Sequence, residues 1–253
     1  VTTYLGIDLA WGPHGRTGLA GLDGDGRLVA SASVGTDGEI AAFVAAHLAA
    51  HPGPVLAAVD APLVVPNETG RRPCEAELSA AFGRFHAGPH PANRGLPHLR
   101  EPRGAVLAER FGWTLDPDAT EPGEPVPEPG ACIEVYPHPA MVTWFDLDRV
   151  IPYKHKTGRD LAALQAASTL LLELVEREAG PLLRLSDHPR WQQARTTVAA
   201  ATRKSHLRSV EDEVDGIWCA YLAWVWMHRR DRLRVYGDRA GGYVVAPPPP
   251  LRA

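Results

Sequence analysis

The chain has 253 residues, 45% of them hydrophobic and 22% charged, which supports a sizeable buried core and excludes intrinsic disorder. A formal net charge of −4 excludes a broad basic face that grips duplex DNA constitutively, while leaving room for a local basic groove. The three cysteines (Cys74, Cys132, Cys219) lack CxxC spacing and the longest apolar run, 218–227, is too short to span a bilayer. With no basic-then-apolar leader at the start, these features predict a cytoplasmic protein without a zinc finger, disulfide framework or membrane partner.

Residues 3–10 open the chain as a β-favouring run, followed by a turn over 11–15, a strand over 17–22, a tight turn over 23–26 and a strand over 27–34. Both connections are short, which predicts an antiparallel meander. Residues 37–50 repeat Ile40, Phe43, Val44 and Leu48 at helical spacing behind a Thr36 or Asp37 cap. Residues 55–60 are almost wholly apolar, as in a strand covered on both faces, and the helical crossover sets this strand parallel to the first. A helix over 73–86 with Pro73 in its first turn, a Pro/Gly/His loop over 90–97 and a helix over 99–111 interrupted by Pro102 come next. The acidic, proline-rich stretch 116–129 is expected to be a mobile surface loop. Strand character returns over 132–136 and stops at Pro137. Helices over about 159–178 and 210–230 follow, and a hairpin pairs 232–236 with 243–246. The pattern predicts one α/β domain, 1–253, with a β-β-β-α-β core and a helical, loop-rich insertion at about 64–130.

Asp8 and Asp60 end strands that are otherwise apolar, and Glu134 lies in a third. A carboxylate among buried neighbours is costly unless it is paired, hydrogen-bonded or metal-bound. Parallel neighbouring strands bring Asp8 and Asp60 to one carboxyl edge, where open α/β sheets place their sites. In the last helix, Val214, Ile217, Trp218, Tyr221, Leu222 and Val225 form an apolar arc that contains Asp215, with Asp212 at its edge. First-turn placement against the helix dipole accounts for Glu211, Asp212 and Glu213 but not for Asp215. Converging carboxylates suit Mg²⁺ or Mn²⁺, and two such ions activate a water and stabilise the leaving oxygen of a phosphodiester.

Four segments carry a resemblance. Gly6-Ile7-Asp8, Val59-Asp60-Ala61-Pro62-Leu63, Glu134-Val135-Tyr136-Pro137-His138-Pro139 and the stretch from Asp212 to Ala220 resemble the domain-of-unknown-function family 429, commonly described as predicted RNase H-like nucleases. Arg72, Cys74, Glu75, Tyr153 and Lys154 are similar to secondary positions of that family. The resemblance implies a ribonuclease H-like mixed five-stranded sheet flanked by helices, with an acid pair on the late helix like that of RuvC-type resolvases. It also implies that Asp8, Asp60, Glu134, Asp212 and Asp215 are metal-binding and catalytic candidates. Gly216 departs from the alanine usual after the second acid, a change that weakens the helix locally.

Lys154 and Lys156, with His155, follow the Glu134 strand and are expected to hold phosphate oxygens of a nucleic-acid substrate. The basic cluster over 195–208 reads as a solvated face, His86, His90 and His98 as surface histidines, Cys74 as a buried thiol and Tyr153 as packing. No G-x-S-x-G, G-x-G-x-x-G or P-loop motif occurs. The expected function is metal-dependent phosphodiester hydrolysis of nucleic acid. An actin-like ATP-dependent phosphotransferase and a non-catalytic binding module with the same fold are the alternatives.

Overall fold

β1 (Thr3–Asp8), β2 (Thr17–Leu22) and β3 (Leu28–Val34) pair as an antiparallel meander, as their spacing predicts. The structure, a computed structural model, describes residues 1–12 and 15–251, so the turn expected over 11–15 falls partly outside the described residues, at Pro13 and His14. Helix α1 (Asp37–Ala50) starts at Thr36, whose hydroxyl accepts from Glu39 N–H while the Glu39 carboxylate accepts from Thr36 N–H, a reciprocal capping box. This helix returns the chain to β4 (Val55–Val59), which lies parallel to β1.

Helices α2 (Pro73–Phe82) and α3 (Arg103–Phe111) occupy the long connection to β5 (Gly130–Glu134), which adds in parallel to β4. The result is a mixed five-stranded sheet in the order β3-β2-β1-β4-β5. Beyond it come α4 (Pro137–Trp144), α5 (Leu161–Leu183), α6 (Pro189–Ala199), α7 (Lys204–His228) and the hairpin β6 (Arg234–Asp238) with β7 (Gly242–Ala246). Among the described residues no helix is long and apolar enough to cross a membrane.

The core divides by strand parity. Tyr4, Ala20, Leu22, Leu56, Ala58, Ala131 and Ile133 pack against α7 and α5, whereas Leu5, Ile7, Leu19, Val55, Ala57, Val59 and Cys132 face α1 and α3. Helix α7 lies very close to the sheet because glycines meet there. A Cβ on Gly6 would stand 2.0 Å from the Gly216 carbonyl oxygen, and one on Gly216 would stand 2.7 Å from the Gly18 carbonyl carbon. The Gly216 that looks weak by helix propensity is therefore what lets α7 seat. Gly216→Ala gains ~1 kcal/mol of propensity but forces backbone from backbone at a cost of about 1–3 kcal/mol. A lowered Tm by calorimetry is the expected result; an unchanged or higher one would mean the helix shifts freely.

Four expectations change. Pro137 does not merely stop a strand; it begins α4, where its missing N–H is harmless. Helix α6, too polar to stand out, is present and buries Trp191, Ala194 and Val198. Helix α7 begins at Lys204, so Glu211, Asp212 and Glu213 lie beyond its first turn and are not dipole-complementing residues. Glu213 instead accepts from Ser31 Oγ (2.5 Å) and Arg190 Nη2 (2.6 Å). Finally, the 116–129 stretch packs rather than floats: Val126 and Thr120 are buried, and Thr120 Oγ1 accepts from Trp226 Nε1 at 2.8 Å.

Candidate active site at the carboxyl edge of the sheet

Sheet register decides which acids meet. Ile7, Val59 and Glu134 are aligned across β1, β4 and β5, so Asp8 and Asp60 sit one residue further along on the α7 face. Asp60 N–H donates to the Ile7 carbonyl at 2.9 Å, which holds the two strand ends together. Asp215 enters from α7, fully buried. Glu134 has the opposite parity and shares its face with Cys132.

The partner at the centre of these acids is Lys154, from the loop between α4 and α5. Its Nζ lies 2.8 Å from Asp215 Oδ2, and Tyr153 Oη donates to Asp215 Oδ1 at 2.7 Å. His138 Nε2 lies 3.4 Å from Tyr153 Oη and its Nδ1 lies 3.1 Å from Tyr136 Oη, while Tyr136 donates its own proton to the Gly88 carbonyl at 3.3 Å. The imidazole is neutral. Burial, with Lys154, Lys156 and His90 nearby, pulls the imidazole down to about 3.

Electrostatically the acids repel one another around Lys154. Burial raises the Asp8 carboxyl well above the aspartate range; Lys154 opposes the rise, and Asp215, Asp60 and Asp212 add to it. Burial likewise lifts Asp60 to about 7, again with Lys154 lowering and Asp215 and Glu134 raising. Burial pulls Lys154 down, but Asp215, Tyr153, Asp8 and Asp60 outweigh it and hold the ammonium charged. Glu211, which takes the His155 N–H at 3.2 Å, rises to about 7 through burial and Asp215.

Glu134 lines the same cavity but is taken up by its own arginine. Arg72 Nη1 and Nη2 donate to its two oxygens at 2.9 and 2.6 Å, and Leu63 N–H donates at 2.8 Å. Burial raises this carboxyl and Arg72 opposes the rise; donors on both oxygens require the carboxylate form. Arg72 also donates from Nε to Glu75 Oε1 at 2.8 Å, and Glu75 accepts from Ala92 N–H. The network ties the β4–β5 connection to the sheet. Arg72→Met leaves two buried carboxylates unpaired and should cost about 3–5 kcal/mol, a Tm fall of roughly 10 °C. An unchanged melting curve would show that the network is not structural.

Asp212, one helical turn before Asp215, stays at the edge: it accepts from Ser33 Oγ at 3.1 Å and faces Arg16 Nε at 3.8 Å. Lys156 is exposed and lines the cavity above the acids. That cavity has a volume of about 460 Å³; Asp8, Asp60 and Lys154 line it together with Trp11, Tyr136, His138 and the sequence-predicted surface histidines His86 and His90. Sequence reasoning missed Tyr153 and His138 as positioning groups and Trp11 as a lining residue, since single aromatics in loops carry no pattern. Cys74 is buried, its thiol pushed up to about 12 by burial.

Fold and site together define a mixed α/β protein with a recessed carboxylate–lysine centre at the carboxyl edge of its sheet. Residues 6–240 match the family described as Protein of unknown function (DUF429), and the chain belongs to it. No curated protein and no solved structure matches the chain.

Proposed function

We propose that the protein is a divalent-metal-dependent nuclease of ribonuclease H-like fold, hydrolysing phosphodiester bonds in nucleic acid. One observation carries the reading: Asp8 and Asp60 line one recess with Lys154, and Asp215, from a third element distant in sequence, lies buried against that lysine and close enough to repel both. The meander–crossover strand order, with acids at the first strand, the post-helix strand and the last helix, agrees with it.

The donor chemistry fits Mg²⁺ or Mn²⁺, because every candidate ligand is a hard carboxylate oxygen. Among the described residues no group of three or more His, Cys, Asp or Glu side chains stands ready to hold a metal ion; Lys154 lies against Asp215 instead. Binding thus requires the Lys154 side chain, one-third exposed, to turn outward. Asp8, Asp60 and Asp215 would then hold the ion, with Asp212 at the edge. When bound, such an ion activates a water and stabilises the leaving oxygen.

The chain's own groups do the rest. Tyr153, braced by His138, fixes the Asp215 carboxylate. Lys154 and Lys156 place positive charge beside a phosphate in the cavity. Neutral His138 adds no charge to the site.

Purified protein should cleave a labelled single-stranded oligonucleotide with Mn²⁺, lose that activity in EDTA, and show none as the Asp60→Asn variant. Cleavage that survives EDTA or the substitution would refute the assignment.

A further inference from the structure

We infer, resting on the nuclease reading and deepening it, that the segment 84–100 is the docking surface for a single nucleic-acid strand on its way to the carboxylates. Its composition sets it apart from the rest of the chain. No Asp or Glu occurs between Glu77 and Glu101, while Arg84, Arg94 and Arg100 do, in a protein of net charge −4. All three arginines are exposed, as are His86, His90 and His98. Arg94 faces Glu68 loosely, at 3.8 Å; among the described residues Arg84 and Arg100 have no ion-pair partner. An ordinary solvated surface intersperses both signs of charge. Exposed cations left uncompensated over such a stretch point to a polyanion.

The backbone of this segment is fixed before any partner arrives. Ala92 N–H donates to both Glu75 oxygens, at 3.0 and 3.1 Å, and the Ala92 carbonyl accepts from Asn67 Nδ2 at 3.1 Å. Arg94 N–H and Gly95 N–H donate to the Asn67 and Glu68 carbonyls, at 2.9 and 3.0 Å. Phe85, Ala87, Ala92 and Leu99 are buried beneath, so little ordering remains to oppose binding. His86 has a left-handed backbone, φ 59°, a conformation that glycine takes without strain. Its exposed imidazole lines the cavity, and packing alone gives no reason for a histidine there.

The segment leads to the site. His86 and His90 line the cavity together with Asp8, Asp60 and Lys154, and the exposed Lys156 lines it too. The His98 ring stands 6.3 Å from that of Trp11, another lining residue. Flat rings thus alternate with guanidinium groups along the chain, as in a surface that tracks a single strand. Phosphates meet the cations, and bases of any identity lie on the rings. An acidic peptide offers the charge without the flat faces.

The test measures binding of a fluorescent thymidine oligonucleotide by anisotropy, with the full chain in EDTA so that no metal takes part. The parent should bind. Arg84→Gln/Arg94→Gln/Arg100→Gln should bind about 100-fold more weakly at about 50 mM salt, and its log–log salt dependence should be shallower by about 2. Arg177→Gln/Arg203→Gln/Arg229→Gln, which neutralises exposed arginines elsewhere, should bind like the parent. His86→Gly should bind about fivefold more weakly, with a Tm equal to the parent's or higher. No binding by the parent, equal affinity in the parent and the 84–100 variant, or equal loss in both triple variants would overturn the inference. So would poly-glutamate displacing the strand as well as unlabelled oligonucleotide does, which would assign the surface to an acidic protein. Cleavage with Mn²⁺ is a separate measurement: if it persists while these binding results fail, the nuclease reading stands without this surface. Binding as expected with no cleavage would remove that reading and keep the segment's grip on the strand.

Discussion

The Asp8→Asn variant is expected to melt at a higher temperature than the parent in metal-free buffer and to lose Mn²⁺-dependent cleavage by about 10³-fold or more, the several kcal/mol of charge stabilisation that a catalytic ion supplies. Both effects have one origin. Asp8 and Asp60 are raised chiefly by burial, and Asp215 adds repulsion to each. A carboxyl raised in the folded state binds its proton more tightly there than in the unfolded chain. It therefore costs no stability below the ordinary aspartate value of about 3.9, and stability drains away as pH rises through the folded value, about 7 for Asp60. Asparagine removes one of the repelling charges. The Tm difference between variant and parent should thus be small near about pH 4 and grow toward about pH 8, at roughly 2–4 °C per kcal/mol for a chain of this size. A lower Tm at all pH values would mean that Asp8 makes a stabilising contact and is not held against its neighbours' charge.

Lys154→Met is expected to do the opposite. Asp215 has no exposure, and its partners are the Lys154 ammonium and the Tyr153 hydroxyl. Removing one side of a buried pair leaves a charge in low dielectric, worth 3–5 kcal/mol when both partners are buried. Lys154 is one-third exposed, so about 2–3 kcal/mol is the reasonable figure here. Thermal scans should show a fall of several degrees without metal. Addition of Mn²⁺ should then stabilise the variant more than the parent, because no ammonium has to leave Asp215 first. Equal Mn²⁺ shifts in the two proteins would show that ion and lysine do not compete for the same carboxylates.

Much of the sheet was legible because its signals are local. Turn residues at 23–26, the Thr36/Glu39 cap and the apolar run of β4 each act within a few residues, and a helical crossover has one favoured hand. Asp8, Asp60 and Asp215 were legible for the same reason, each being a charge in an otherwise apolar pattern. Glu134, a further candidate among these acids, is instead paired with Arg72. Its strand is apolar on both faces, so parity cannot be read from Cys132-Ile133-Glu134-Val135; only the alignment of Glu134 with Val59 shows which way it faces. The resemblance marked Tyr153 and Lys154, but their hold on Asp215 was not legible, because they lie in a loop where a side chain's direction depends on packing. The role of Gly216 was hidden likewise. Propensity speaks of the helix alone, whereas the requirement comes from the backbone of Gly18 on β2.

All of this depends on carboxylates from β1, the end of β4 and α7 surrounding a space that a cation fills. Anomalous scattering from crystals soaked in Mn²⁺ measures that directly. A peak is expected among the Asp8, Asp60 and Asp215 oxygens, with the Lys154 ammonium withdrawn from Asp215. Saturating Mn²⁺ with no peak at that position, and Lys154 still lodged against Asp215, would contradict it.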